Sequence, residues 1–220
     1  MIRINSLSKI YKSKENSVTA LDDVSLSIEK GEFISIVGPS GSGKTTLLLC
    51  MGGLIHPSVG KVNVDGASIY DLGIKERAMF RLRNLGFVFQ TFNLIPYLTA
   101  LENVQIPLSL IGNTNGNQTE RATELLEKLG LGDRLNHKPR ELSIGQQQRV
   151  AIARALANNP KIIMADEPTG NLDPSTTSET VAYLNLLNQT GITVIMVTHN
   201  PGVAERAQRM LRLVEGRLTE

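Results

Sequence analysis

The residues with the clearest chemical potential lie in the segment GPSGSGKT, which runs from Gly38 to Thr45. This segment matches G-x-x-x-x-G-K-[ST] at every fixed position. Its glycines let the backbone curl so that successive N–H groups point inward, and a following helix adds the positive end of its dipole. Lys44 supplies a charge for the β- and γ-phosphates of a nucleotide, and the Thr45 hydroxyl suits Mg²⁺. The segment therefore predicts a phosphate-binding loop.

Two adjacent carboxylates end the apolar run KIIMADEP. Asp166, at the carboxyl end of a buried strand, can hold Mg²⁺ through water. Glu167 can orient and polarise an attacking water molecule. Taken alone, the pair would be a polar strand end before a turn at Pro168. Together with the phosphate-binding loop, the pair favours a catalytic role.

A histidine closes another apolar run, TVIMVTH, at His199. Ligands of open α/β sheets bind at the carboxyl ends of the strands, the edge at which Lys44 and Glu167 are also expected. A neutral imidazole there can donate a hydrogen bond to a γ-phosphate or to the attacking water. His56 and His137 have no such context, and we expect both to be surface residues.

The apolar pattern indicates an α/β protein. The continuous apolar runs 33–37, 162–165 and 194–197 have strand length and are typical of parallel strands buried on both faces. Helical patterns alternate with them, whereas alternation in SVTALDDVSLSIE predicts a half-exposed antiparallel strand. Leading antiparallel strands and a helix-rich middle at about 87–160 are read as additions to the sheet. No linker divides the 220 residues, so one domain is expected.

Composition excludes several classes of function. The formal net charge of +2 gives no support to a nucleic-acid partner. Cys50 stands alone, which predicts a buried small hydrophobe in a reducing compartment. No signal peptide is expected after MIRINSLSK, and the apolar runs are too short to span a bilayer. The segment IGNTNGNQ at 111–118 is expected to be a surface loop.

Further motifs in a fixed order extend these observations over essentially the whole chain. They are, in sequence order, Tyr11, Gly38–Thr45, Gln90, Leu142–Gln146, Asp166 with Glu167, Asp173 and His199. In this set and order, the chain resembles an ATP-binding cassette (ABC) ATPase. The resemblance implies a P-loop NTPase fold with a RecA-like parallel-sheet core, an N-terminal antiparallel β subdomain and an inserted α-helical subdomain.

The resemblance also implies individual roles, with ATP and Mg²⁺ as the bound groups. Lys44, Glu167 and His199 are the expected catalytic residues, and Thr45, Gln90 and Asp166 the expected metal ligands. Tyr11 corresponds to the aromatic residue that stacks on adenine, although ordinary strand packing is the alternative. The expected nucleotide-binding residues are Tyr11, Gly38, Pro39, Ser40, Gly41, Ser42, Gly43, Lys44, Thr45, Thr46 and Gln90. Beyond Gln90, an exposed apolar patch is expected where a membrane subunit would dock, with plain core as the alternative.

The segment ELSIGQQQRVAIARAL corresponds to the L-S-G-G-Q motif, which completes the nucleotide site of a second copy. Ser143-x-x-Gln146 is independently a capping-box pattern at a helix start, so a merely well-capped helix is the alternative. The residues expected to reach the partner's nucleotide are Ser143, Ile144, Gly145, Gln146 and Asp173. Ile144 departs from the motif, and we expect it to point away from ATP and to pack within the helical subdomain or the dimer seam.

These features predict an ATPase subunit of an ABC transporter, acting as a head-to-tail homodimer on a separate transmembrane permease. It would lie at the cytoplasmic face of the membrane. The sequence TGNLD at 169–173, where many members have Ser-Ala before Leu-Asp, resembles the lipoprotein-releasing and macrolide-exporter branch. An importer ATPase is the main alternative. Soluble ABC proteins of DNA repair or translation are disfavoured, since the chain has neither a long coiled-coil insertion nor a second cassette.

Overall fold

The computed structural model describes residues 1–13, 16–111 and 117–219. The chain forms two compact units, one made of Met1–Ala78 with Asn185–Glu220 and the other of Met79–Leu184. Most of the predicted surface loop at 111–118, namely residues 112–116, lies outside the described residues.

Strands and helices alternate through most of the chain. The strands are β1 (Ile2–Lys12), β2 (Ser17–Ile28), β3 (Phe33–Val37), β4 (Val59–Val64), β5 (Ala67–Ser68), β6 (Leu85–Phe89), β7 (Ile162–Asp166), β8 (Thr193–Thr198), β9 (Arg209–Val214) and β10 (Arg217–Thr219). The α-helices are α1 (Lys44–Met51), α2 (Ile74–Asn84), α3 (Ala100–Leu110), α4 (Gln118–Lys128), α5 (Ile144–Leu156), α6 (Pro174–Gln189) and α7 (Pro201–Ala204).

The first unit contains an antiparallel sheet with the strand order β2-β1-β4-β5. In the second half of β2, buried Val24, Leu26 and Ile28 alternate with exposed Ser25 and Ser27. This is the pattern of a strand with one face on a core and one face in solvent, because successive side chains point to opposite faces. The prediction of a half-exposed antiparallel strand is confirmed.

The first unit also contains strands of a second sheet, in the order β10-β9-β3-β8, in which β10 pairs antiparallel with β9. β3 pairs in parallel with both β8 and β9, so it is an interior strand. Phe33, Ile34 and Ile36 are fully buried, as is the whole of β8. Strands covered on both faces need apolar residues at successive positions, which explains the continuous apolar runs in the sequence.

In the second unit, β6 and β7 pair in parallel and the helices α3, α4 and α5 pack together. One face of α5 is apolar, and Val150, Ala153 and Ala157, the last at its C-terminal cap, are all buried. These three helices lie within the span 87–160, whereas β6 begins before it at Leu85. The subdomain boundary itself stays a prediction.

Cys50 is fully buried on α1, as predicted for a small hydrophobe. Burial raises the pKa of its thiol to about 11, although the charge of Lys9 acts in the opposite direction. The thiolate, which is the reactive form, is therefore disfavoured at neutral pH. Among the described residues, no helix is both long and apolar enough to cross a lipid bilayer.

Candidate functional site

The phosphate-binding loop connects β3 to α1 and depends on two close backbone approaches. Gly43 has φ = 101° and forms the N-cap of α1. A Cβ atom at Gly43 would lie 2.2 Å from the carbonyl oxygen of Ala20, and one at Gly38 would lie 2.0 Å from that of Leu213. No side chain fits at either position, so both glycines are required for the loop to pass this close to the backbone of β2 and β9.

Lys44 is held over this loop. Its side chain is largely buried, and its Nζ donates to the carbonyl oxygens of Gly38, at 2.8 Å, and Pro39, at 2.9 Å. Ser42 Oγ is also buried, and it has no hydrogen-bond partner among the described residues. A fixed ammonium, a hydroxyl inside the loop and the N-terminus of α1 are the groups that bind a phosphate chain.

His199 leaves the sheet beside the start of this loop. The parallel register pairs Val37, the last residue of β3, with Thr198, the last residue of β8. Gly38 and His199 therefore follow the carboxyl ends of neighbouring strands, as the sequence predicts for a ligand-binding edge. The His199 side chain is exposed, so it is accessible to a ligand at that edge.

The second unit brings Gln90 close to the two carboxylates in the same way. Phe89, which ends β6, pairs in register with Asp166, which ends β7. Gln90 and Glu167 are thus the next residues on two neighbouring parallel strands, and the sequence alone could not reveal this register. Asp166, Glu167 and Gln90 are all half-buried.

Glu167 has an unusual backbone conformation. Its φ is 47°, in the left-handed region that costs a non-glycine residue about 1 kcal/mol or more. A residue before proline is already restricted, and Pro168 follows directly. Such conformations cluster where a side chain must be aimed by the fold, which supports a functional role for Glu167.

The structure confirms the capping box at the start of α5. Ser143 Oγ accepts a hydrogen bond from the Gln146 backbone N–H at 3.2 Å, and Gln146 Oε1 accepts one from the Ser143 N–H at 2.9 Å. A hydroxyl that accepts in this way keeps its own proton for donation. Helix geometry also leaves the N–H groups of Ile144 and Gly145 without an intrahelical carbonyl. The capped end therefore still offers donors to an anion.

The three consecutive glutamines have three different partners. Gln146 completes the capping box, while Gln147 Nε2 donates to the carbonyl oxygen of Leu142 at 3.1 Å. Gln148 is fully buried, and its Nε2 donates to the carbonyl oxygen of Pro168 at 2.8 Å. The third glutamine thus fixes the residue that follows Glu167.

Ile144 is not packed within the helical part of this chain, which corrects one of the two placements expected from the sequence. Its side chain is 53% exposed. The residue occupies the first position of α5, where a side chain projects beyond the helix end rather than onto the buried face. Its expected place in a dimer seam stays a prediction.

Asp173 caps the next helix, α6. Its carboxylate accepts hydrogen bonds from the hydroxyls and backbone N–H groups of Ser175 and Thr176. The bond from the Ser175 hydroxyl, followed by those from Thr176, holds the pKa of the Asp173 carboxyl well below its usual range. Thr176 also contacts the motif on α5, because a Cβ on Gly145 would lie 2.8 Å from Thr176 Cγ2.

Tyr11 presents an accessible ring near α1. Its side chain is 42% exposed, and its hydroxyl lies 3.5 Å from Thr46 Oγ1. Lys9 Nζ lies 5.0 Å from the ring centroid, within the range of a cation–π contact. An exposed aromatic face beside the phosphate-binding helix is suited to stacking on a base.

The segment after Gln90 is shaped by a half-buried arginine, Arg154. Phe92 and Asn93 both have positive φ, of 59° and 49°, and the guanidinium of Arg154 donates to both of their carbonyl oxygens. Burial lowers the pKa of the Arg154 guanidinium. Beyond this turn Tyr97 is 73% exposed, so the segment presents an apolar side chain to solvent.

Each of the residues expected from the sequence to bind Mg²⁺ carries a hard oxygen donor. These donors are the Thr45 hydroxyl, the Gln90 amide oxygen and the Asp166 carboxylate. Within residues 1–13, 16–111 and 117–219, no three His, Cys, Asp or Glu side chains converge on one point. A single carboxylate with neutral oxygens fits Mg²⁺, which takes its remaining ligands from water and phosphate.

The sequence assigned no positioning role to four residues that hold parts of this site: Gln148, Arg154, Asn171 and Thr176. Each contacts a residue far along the chain, so no local spacing could reveal it. Only Asn171 could have been noticed from the sequence, because Gly170-Asn171 replaces the Ser-Ala that many ABC ATPases have at this point.

Comparison with known proteins identifies the family. A family model described as ABC transporter matches residues 21–170. An uncharacterized ABC transporter ATP-binding protein of Methanocaldococcus jannaschii is 50% identical over 100% of this chain and 98% of the relative. A macrolide export ATP-binding/permease protein of Bdellovibrio bacteriovorus is 48% identical over 98% of this chain, which spans only 33% of that relative.

Solved structures agree with the sequence relatives. An ATP-binding cassette determined as a dimer in a post-hydrolysis state with ADP and Pi has a TM-score of 0.93 and 46% identity, covering 100% of this chain and 97% of that one. The fold expected from the motifs is confirmed for this chain, with parallel core strands, an antiparallel N-terminal sheet and added helices. The chain belongs to the ABC transporter family, as one of its ATP-hydrolysing cassettes.

Proposed function

We propose that this chain binds ATP in the loop from Gly38 to Thr45 and hydrolyses it to ADP and phosphate. The observation that carries the proposal is the position of Lys44, whose ammonium is fixed over the loop by two carbonyl oxygens. From that position it can neutralise charge on the β- and γ-phosphates of a bound nucleotide. The exposed ring of Tyr11 is available for the adenine.

Glu167 and His199 carry the chemistry in this proposal. Glu167 orients the water that attacks the γ-phosphorus and accepts its proton, while the bond to the β-phosphate oxygen breaks. His199 donates a hydrogen bond to the γ-phosphate. Mg²⁺, held by Thr45, Gln90 and Asp166, would neutralise phosphate charge when bound.

Two copies act together in the proposed cycle. The capped N-terminus of α5 presents a hydroxyl and unfilled N–H groups, which suit the γ-phosphate held by a second copy. Asp173 belongs to the same proposed seam, and its hydrogen bonds to Ser175 and Thr176 stabilise the loop that would cross it. The cassette of known structure at 46% identity is itself dimeric, which supports this arrangement.

The proposed output is mechanical work on a transmembrane permease at the cytoplasmic face of the membrane. Macrolide export relatives carry an ATP-binding part and a permease under one name, which supports export or release over import. Tyr97 and the apolar segment after Gln90 are the proposed docking surface. ATPases of importers share the same cassette, so import is the second candidate.

The Glu167→Gln variant tests the proposal. It retains the side-chain shape but removes the proton acceptor, so we expect ATP to bind without turnover and to hold two chains together. Size-exclusion chromatography at micromolar concentration, with and without ATP, should show a dimer only in the presence of ATP. Turnover should fall by roughly 100-fold or more.

Two controls complete this experiment. Glu179→Gln changes an exposed carboxylate on α6 and should behave like the wild-type chain. Adding Lys44→Ala to Glu167→Gln should abolish the ATP-dependent dimer, because the β- and γ-phosphates lose the Lys44 ammonium. A Glu167→Gln variant that hydrolyses ATP at the wild-type rate would refute the role of Glu167, and one that stays monomeric with ATP bound would refute the dimer.

A further inference from the structure

We infer that Asn171 is a positioning residue that directs the oxygen of the Gln90 side-chain amide, and not its NH₂ group, toward the metal. The inference rests on the proposed function, because the role of Gln90 as a ligand belongs to it. Asn171 and Gln90 are 81 residues apart in sequence, yet two hydrogen bonds join them.

The chemistry of the two bonds leaves only one orientation for both amides. Asn171 Nδ2 lies 3.0 Å from the backbone carbonyl oxygen of Gln90, and a carbonyl can only accept, so the nitrogen of Asn171 must face it. Asn171 Oδ1 is then the atom that faces the Gln90 side chain, at 3.3 Å from Nε2. Because Oδ1 can only accept, Gln90 must present its NH₂ group there.

These two hydrogen bonds fix the direction of the Gln90 side-chain oxygen. With Nε2 of Gln90 committed to Asn171, its Oε1 points away from Asn171, on the other side of the Cγ–Cδ bond. Mg²⁺ binds oxygen and not the amide nitrogen, so a flipped Gln90 would offer the wrong atom. Asn171 excludes the flip, since a flipped amide would place two oxygens against each other.

Gly170 makes this contact possible. A Cβ at this position would lie 2.8 Å from Gln90 Nε2 and 3.1 Å from its Cδ, so a larger residue would displace the amide. The Gly170 N–H also donates to the carbonyl oxygen of Glu167 at 3.0 Å, which places the contact in the turn that carries the proposed base. Gly170 and Asn171 are the two residues that replace Ser-Ala, and an alanine at the second position could make neither bond.

The test measures metal binding directly. Purified full-length chain is mixed with a non-hydrolysable ATP analogue and titrated with Mn²⁺, and free Mn²⁺ is followed by electron paramagnetic resonance. We expect Asn171→Ala to weaken Mn²⁺ binding about fivefold, an effect comparable to the net contribution of one hydrogen bond. Gly170→Ala should act in the same direction, and Gln90→Ala should be at least as severe.

A double-mutant comparison separates the effect of Asn171 on the orientation of the Gln90 amide from a general loss of local structure. Adding Asn171→Ala to Gln90→Ala should change Mn²⁺ affinity by less than about 1.5-fold, because no amide remains to be oriented. Thr91→Ala is the matched control, since it removes a neighbouring hydrogen bond to Asn93 Oδ1 and leaves Asn171 intact. This control should bind Mn²⁺ like the wild-type chain.

The outcomes separate this inference from the proposed function. Wild-type affinity in Asn171→Ala, with weakened binding in Gln90→Ala, would overturn the positioning role alone. The same loss of affinity from Asn171→Ala with and without Gln90 would also overturn it. A wild-type chain that binds neither analogue nor Mn²⁺ would refute the proposed function itself.

Discussion

The buried amide of Gln148 provides a prediction in which stability and catalysis should separate. Gln148→Met keeps a long unbranched side chain but removes both polar atoms. Loss of Nε2 leaves the Pro168 carbonyl oxygen without its donor, which costs about 1–3 kcal/mol. Loss of Oε1, which is buried without a partner among the described residues, recovers a desolvation penalty of about 1–3 kcal/mol. The two effects oppose each other, so the unfolding free energy should change by less than about 1 kcal/mol.

For ATP turnover, no gain in Gln148→Met offsets the loss of the hydrogen bond to Pro168. Pro168 follows Glu167, and without Gln148 the turn between β7 and α6 loses its anchor to α5. A misplacement of the proposed base by a fraction of an ångström should lower ATP turnover roughly tenfold or more. Amide hydrogen exchange over residues 167–171 should become faster in the same variant.

The assays are urea denaturation, ATP turnover and hydrogen exchange on three variants. Gln148→Ala removes the same polar atoms and also leaves a cavity, so it should be less stable than Gln148→Met by about 2–4 kcal/mol. Gln147→Met removes a half-buried amide that donates to Leu142 and should leave exchange over 167–171 unchanged. Equal destabilisation of the Met and Ala variants at position 148 would refute the compensation, and unchanged turnover in Gln148→Met would refute the anchoring role.

Three further predictions concern packing and titration. Gly145→Ala should lower the free energy of unfolding by about 1–3 kcal/mol, because its Cβ clashes with Thr176 Cγ2. Thr176→Ser removes that methyl group but keeps the hydroxyl that donates to Asp173, so adding it should restore most of the lost stability. Thermal denaturation of the single and double variants measures both effects. The stability advantage of the wild-type chain over Asp173→Asn should be complete above about pH 4 and should decrease as pH falls further, since the folded-state pKa is depressed. Urea titrations between pH 7 and pH 3 should show the start of this decrease. Between about pH 9 and 11 the wild-type chain should lose stability relative to Cys50→Ala. The reason is that the Cys50 thiol ionises near pH 9 in the unfolded chain but stays protonated in the folded chain. Denaturation of both chains across that pH range measures the difference.

Local patterns in the sequence were sufficient for the elements that bind phosphate. The loop from Gly38 to Thr45 is a run of consecutive residues, so its chemistry and its geometry are written in one place. The buried strands β3, β7 and β8 were predictable for a similar reason, because burial on both faces forces apolar residues at successive positions. The capping box of α5 is a spacing of three residues, which any helix start realises in the same way.

Some local elements were not predicted because their patterns are weak. α2 has no buried residue, so its sequence lacks the apolar stripe that marks a helix. α3 contains Pro107, which normally argues against a helix interior, although Thr99 and Glu102 form a capping box at its start. For Ile144 the sequence left two placements open, and the structure excludes only packing within the helical part of this chain, since the side chain is exposed at a helix end.

The amino-acid sequence by itself determined which chemical groups this protein has and the strands and helices that carry them. Only the tertiary structure decided how those groups are aimed. The bonds from Asn171 to Gln90, from Gln148 to Pro168 and from Arg154 to the turn after Gln90 join residues between 20 and 81 positions apart. Such contacts depend on strand register and helix packing, which bring distant segments together without leaving any periodic signal in the sequence.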